Sequence, residues 1–266
     1  QMFEEGQFSE NIRNGLFDLI SNVLFFEVEG SHGTRFYPRW GMHSLTTFQY
    51  LDDYTKQKLD EIYIDYFYHR QDEFWFQSGM EKLPVLKQAT DMLICGEDLG
   101  MMTPCVTRAM KELGILSLEI QRAPKTNKID FFHPSDAPYL SVVTPSTHDM
   151  STIRGWWEED RNITQRFYNS QLGHLGEAPY FCEWWICRDI LLQHLYSPAI
   201  WAIFQIQDLL GVSEKLRREN PHEERINVPS DSKKSWRYRL HLNLEDLLKE
   251  DDFNQQIRNY IRQSGR

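Results

Sequence analysis

The sequence predicts an α/β fold built on a parallel sheet, and three observations carry that expectation. Four apolar runs of strand length lie at residues 91–95, 115–120, 139–144 and 199–206. Between the first two sits a helix signal, with Thr103-Pro104 at its start and Gly114 at its end. Parallel strands need a crossover, and a helix supplies it, so strand–helix–strand is the repeat of such folds. Finally, two of the runs lead into carboxylate-bearing loops, CGEDLG at 95–100 and PSTHD at 145–149. In parallel folds, and in β/α barrels above all, chemistry sits at the C-terminal ends of strands.

Taken in order, the first ninety residues read as mainly helical and aromatic, with no additional sheet. Leu59, Ile62, Tyr63, Tyr66 and Phe67 share one helical face. After the run Met92-Leu93-Ile94 and the CGEDLG loop, Thr103 is a good N-cap. Pro104 suits the first helical position, where its missing N–H costs nothing. Val106, Met110 and Leu113 give that helix an apolar face, and Gly114 is placed to end it in the left-handed conformation. The run at 139–144 precedes His148-Asp149, and Ser151 or Thr152 is positioned to cap a short helix. The last run ends at Gln207-Asp208, on the same face of the sheet. Residues 214–234 are the most polar stretch.

Composition narrows the function. The formal net charge is −10, from 29 basic and 39 acidic residues, which argues against phosphate-backbone binding and so against nucleic acid. The cluster of Lys233, Lys234, Arg237 and Arg239 is too short to reverse this. No run reaches membrane-spanning length, and no charged leader with an apolar core is present. Cys95, Cys105, Cys182 and Cys187 show no zinc-site spacing, so a cytoplasmic protein with reduced thiols and no metal or cofactor is expected. The sequon Asn162-Ile163-Thr164 reads as chance in that setting.

Taken alone, Glu97-Asp98 is also what a helix start favours for its dipole, and His148 alone reads as an ordinary surface or capping histidine. Together, two strand ends that each present a carboxylate suit work on a glycosidic bond. One group protonates the leaving oxygen while others stabilise an oxocarbenium-like centre.

At these residues the chain resembles the 4-α-glucanotransferases, also called amylomaltases or disproportionating enzymes. CGEDLG and PSTHD occur in the family's order, after Phe36-Tyr37-Pro38-Arg39. LGILSLEIQR (113–122), IRGWWEED (153–160), SPAIWAIFQIQDLLG (197–211), ERINVP (224–229) and SWRYRLHLNLEDLL (235–248) follow in turn. The wording is most similar to the plant cytosolic-type branch, which also has bacterial members. The resemblance implies that the four runs are the last four strands of a (β/α)8 TIM-type barrel, giving residues 91–266 as its C-terminal half and 1–90 as a helical insertion region. It implies Glu97 as general acid/base, with a raised pKa, and Asp149 as the carboxylate that stabilises the transition state. His148 then binds sugar hydroxyls. Asp98 and Trp156 are candidate substrate contacts, and Gln207 and Asp208 are candidates for substrate contact or for bracing the site, with helix capping the competing reading for Asp208. Trp157 and Tyr37, with Trp156, are the aromatics expected near sugar, and ordinary core packing is the competing reading for each.

One departure matters. The family's nucleophilic aspartate belongs to an Arg-x-Asp-His context upstream of Phe36, and no such motif exists here. The one Arg-x-Asp, Arg70-Gln71-Asp72, lies downstream in a helical pattern. With Gln1-Met2 as its opening, the chain reads as the C-terminal part of a longer enzyme whose N-terminal half holds the nucleophile. Its expected partners are that half and α-1,4-glucans or maltooligosaccharides. The acceptor stays open among glucose, maltooligosaccharide and branched polysaccharide. The competing readings are a non-catalytic carbohydrate-binding protein of the same family and, last, a metal-dependent hydrolase using His148, Asp149, Glu97 and Asp98.

Overall fold

The computed structural model describes residues 10–100, 102–126, 128–231, 233 and 236–266. Gln1-Met2, Lys234 and Ser235, used above, lie outside the described residues. The chain divides into two compact units, Gln1–Leu83 with Thr103–Cys105, and Pro84–Met102 with Val106–Arg266.

The first unit departs from the expectation of no sheet. Strands β1 (Phe25–Glu27) and β2 (Phe36–Pro38) form an antiparallel pair with Phe26 opposite Tyr37. Aromatic residues favour a pleated pairing, and Gly30 and Gly33, at φ 73° and 78°, supply the left-handed backbone of the connecting turn. Helical structure then dominates, with an α-helix over Asp53–Ile64, a π-helical segment over Asp65–Arg70 and an α-helix over Gln71–Gln88. Asp52 caps the first of these, accepting from Thr55 Oγ1 at 2.7 Å and Thr55 N at 2.9 Å, and those bonds hold its carboxyl below the usual range. Tyr63 and Phe67 of the expected face are buried against Trp40, with ring centroids 5.7 and 5.1 Å away, whereas Ile62 is exposed. Arg70 pairs with Asp65 at 2.7 Å, and Asp72 accepts from Cys105 N at 2.8 Å. The Arg-x-Asp sequence is therefore helix scaffolding in this unit.

The second unit holds the parallel sheet, formed by β3 (Ser117–Ile120), β4 (Ser141–Thr144) and β5 (Trp201–Ala202) in the order β3-β4-β5. Ser117 pairs with Ser141, and Val142 with Trp201. The expected strand at 91–95 shrinks to one parallel bridge, Cys95 to Leu116, flanked by Gly96 N to Leu116 O at 2.8 Å and Leu116 N to Ile94 O at 3.0 Å. Met92 and Leu93 are exposed at this edge, where no further described strand holds them extended. The expected strand at 199–206 shortens because Ile206 opens a helix, Ile206–Leu210. The helix over Pro104–Leu113 and the left-handed Gly114, φ 62°, match the sequence signal.

The core of this unit packs Ile153, Trp157, Phe167, Ile186, Ile190 and Leu210. His194, from the helix Trp184–Leu195, is fully buried in this unit. Its Nδ1 donates to Ile190 O at 2.7 Å, and burial lowers its pKa from 6.5 to about 4. The folded state therefore holds this imidazole neutral where the unfolded chain would protonate it. Its contribution is present above pH 6.5 and is lost as pH falls toward 4, an effect of roughly 3 kcal/mol. Denaturant midpoints between pH 7 and pH 4 should show that loss, and His194→Asn should flatten it. An unchanged slope in the variant would assign the acid sensitivity elsewhere.

Candidate active site

The first arm of the site grows from the Cys95 bridge. Gly96 lies close to the helix Pro104–Leu113, where an added Cβ would come within 2.9 Å of Met110 Cε and force that side chain to shift. Glu97 follows, exposed and with no hydrogen bond among the described residues. Its neighbour Asp98 points the other way and is buried. Asp98 Oδ1 accepts from Leu118 N on β3 at 2.8 Å, and Oδ2 accepts from Lys125 Nζ at 2.6 Å. Lys125 also donates to Glu119 at 2.7 Å. Asp98 was grouped with the substrate contacts. Its carboxylate is instead spent on tying the Glu97 loop to β3, because a buried charge must find partners.

The second arm leaves β4 at Thr144, whose hydroxyl donates to Ser146 O at 2.7 Å. Arg122, just beyond β3, holds the loop from beneath. It donates to Pro145 O at 3.0 Å, Ser146 Oγ at 2.7 Å and Ser151 O at 2.6 Å, and its guanidinium lies 4.9 Å from the Trp156 ring centre. Burial lowers the Arg122 pKa to about 10, opposed by the Asp208 and Glu159 carboxylates. It remains a cation at neutral pH. Gln205 donates to Thr147 O at 3.1 Å. The loop thus presents His148 and Asp149, both exposed, with Nε2 and Oδ1 3.5 Å apart.

Sequence reasoning missed the residues that hold Asp149 from the other side. Asn227 Nδ2 donates to Asp149 Oδ1 at 2.6 Å, and Asn227 N donates to His148 O at 3.1 Å. Arg225 donates to Asp149 O at 3.3 Å and to Ser151 Oγ at 3.2 Å. Both belong to the ERINVP stretch, which is an ordered loop folded onto the His148-Asp149 turn. Trp236 was also missed. Its ring lies 4.9 Å from that of His148, and it is an exposed non-glycine residue at φ 56°. A bulky side chain in that backbone region is uncommon and draws attention to the position.

These arms meet. A cavity of about 310 Å³ is lined by Glu97, His148 and Asp149, with Leu118, Val142 and Thr144 of the parallel strands forming its floor. Gln205 and Ile226 also line it. A pocket of that size at the carboxyl ends of parallel strands is large enough for a small organic ligand.

Other expected contacts stand behind this pocket. Asp208 is buried and accepts from Ile153 N at 2.8 Å, capping the helix Ile153–Trp157 together with Thr152. Burial raises its pKa, opposed by the Ile153 N–H and Arg122. Gln207 is buried and donates to Glu224 O at 3.0 Å. Glu224 in turn pairs with Arg154 at 2.5 Å and accepts from Thr152 Oγ1 at 2.9 Å. Gln207 and Asp208 therefore brace the site, for which the capping reading of Asp208 had allowed. Trp156 is half-buried beneath Arg122, and Trp157 is fully buried, donating to Pro179 O at 2.9 Å. Trp157 and Asp98 are both buried. Tyr37 is exposed on β2, in the first unit.

The family model described as 4-alpha-glucanotransferase (Glyco_hydro_77) matches residues 28–244, which include both arms and the loop that braces them. The chain belongs to the 4-alpha-glucanotransferase family. It is 41% identical over 257 residues to the 4-alpha-glucanotransferase DPE2 of Oryza sativa subsp. japonica, covering 97% of this chain and 27% of the rice protein. It is 34% identical over 184 residues to the 4-alpha-glucanotransferase of Chlamydia pneumoniae, covering 68% of this chain and 34% of that protein. Its fold is similar to that of an amylomaltase from Streptococcus agalactiae, solved in complex with acarbose. The TM-score is 0.54 at 21% identity, over 71% of this chain and 35% of the amylomaltase. The chain therefore spans about a third or less of the length of these relatives.

Proposed function

We propose that this chain carries the acid side of a retaining 4-α-glucanotransferase site. The single observation that supports it is the shared pocket at the strand ends, where Glu97 and the His148-Asp149 pair line one cavity. In this reading Glu97 protonates the glycosidic oxygen as its bond to the anomeric carbon breaks. Asp149 accepts hydrogen bonds from ring hydroxyls and stabilises the oxocarbenium-like centre, and His148 holds a further hydroxyl. Asn227 fixes the orientation of Asp149, and Trp236 offers an aromatic face to the sugar beside His148.

The carboxylate that bonds to the anomeric carbon is contributed from outside these 266 residues. The acceptor hydroxyl then displaces it, returning its proton to Glu97. The relatives' greater length supports this division. So does the sheet, whose two outer strands have no further described neighbour and across which Leu93, Leu118, Val142 and Trp201 line an apolar trough of about 550 Å³. Unpaired apolar edges of a parallel sheet favour further strands, as the last four of an eight-stranded barrel would require. Glucans or maltooligosaccharides in a cytoplasmic setting complete the reading.

Incubation of the intact protein with maltotriose tests it. Shorter and longer glucans should form, unaffected by a chelator, whereas residues 1–266 alone should form none. Binding without turnover in the intact protein would select the carbohydrate-binding reading, and chelator sensitivity the metal-dependent one.

A further inference from the structure

A second cavity, of about 600 Å³, lies in the same unit and is walled by the helix start at Ser151 and Thr152 and by the chain around Arg218 and Tyr238. Its charge is unlike that of the rest of the protein. In a chain of formal net charge −10, it gathers Arg218, Arg225, Arg237 and Arg239 against Glu159 and Glu223. Arg218 is neutralised by Glu223 at 2.8 Å. The other three arginines are not paired with a carboxylate among the described residues. Arg225 donates to carbonyls and to a serine hydroxyl, and Arg239 donates to the Tyr238 carbonyl at 3.1 Å. Three like-charged guanidinium groups lining one concavity raise its positive potential, and a dianion lowers it while accepting their hydrogen bonds.

A bare phosphate does not account for the rest of the wall. Glu159, which accepts from Ser151 Oγ, and Glu223, paired with Arg218, add negative charge to the wall, and each keeps lone pairs suited to accept from hydroxyl groups. The volume also exceeds what one small ion fills and falls in the range of pockets that hold small organic ligands. A ligand with a phosphate at one end and hydroxyls at the other meets both requirements.

We propose that this cavity binds a phosphorylated sugar, at a site separate from the pocket that holds Glu97 and Asp149. Arg225 joins the two physically, since it donates both to Ser151 Oγ in this wall and to the carbonyl of Asp149.

Calorimetric titration of the intact protein with glucose 6-phosphate tests the proposal, with inorganic phosphate as the comparison. Saturable binding is expected for the sugar phosphate, at least about tenfold tighter than for phosphate. The double substitution Arg237→Ala/Arg239→Ala removes two charged donors and should weaken it by about tenfold or more, with the unfolding temperature unchanged. Arg237→Ala alone should give an intermediate loss. No saturable binding, or binding that the double variant leaves intact, would overturn the proposal. Equal affinity for inorganic phosphate would overturn its sugar component.

Discussion

Replacement of Glu97 by glutamine is expected to lower transfer between glucans in the intact protein by about 10²–10⁴-fold, the usual worth of a positioned general acid/base. The amide keeps the size and polarity of the side chain but has no acidic proton for the leaving oxygen. Because Glu97 is exposed and makes no hydrogen bond among the described residues, the substitution removes no internal contact. Unfolding temperature and maltooligosaccharide binding should therefore stay near their original values while turnover collapses. A glucan ladder formed at near-normal rate by Glu97→Gln would take the residue out of the acid role.

The second large effect is expected at Asp149. Asp149→Asn should reduce turnover by about a hundredfold or more, as the loss of one preorganised electrostatic group does in other active sites. In the proposed reading its charge faces the centre where positive charge develops, and hydrogen bonds to the ring hydroxyls tighten as that state forms. Asn227→Ala should act in the same direction and less strongly, because it frees the carboxylate that Asn227 holds at 2.6 Å. His148→Ala should appear mainly as a raised KM. Normal turnover by Asp149→Asn, or a larger loss from His148→Ala than from Asp149→Asn, would reverse these roles.

What could be read from the sequence was local. Thr103, Pro104 and Gly114 specify a helix through their own backbone chemistry, and the structure ends that helix where they say. Thr152 caps the helix at Ile153–Trp157 for the same reason. The carboxylates of Glu97 and Asp149 were visible because each follows an apolar run within a few residues. The division of labour within each pair was not. Asp98 is removed from the pocket by Leu118 and Lys125, 20 and 27 positions away. Asp149 is held by Arg225 and Asn227, 76 and 78 positions away. Arg122 supports the His148 loop across 23 to 29 positions.

Periodicity reports none of these pairings. They arise once β3 and β4 lie side by side and buried polar groups are obliged to find partners. Trp157 illustrates the converse. Its position just after a candidate carboxylate suggested a sugar contact, yet its helix turns that face into the core, against Phe167 and beneath Pro179. The ends of the strands were also overread, since an apolar run extends pairing only where a neighbour exists to pair with. Among the described residues, Cys95 pairs with Leu116 alone, and Trp201 and Ala202 only with β4.

The most direct test is a crystal structure of the intact Glu97→Gln protein soaked with a maltooligosaccharide. One glucose ring is predicted in the pocket between residue 97 and Asp149, with the Asp149 carboxylate within hydrogen-bond distance of ring hydroxyls and His148 on an adjacent one. A sugar chain bound elsewhere, with that pocket empty or blocked, would contradict the assignment of the strand-end cavity as the site of transfer.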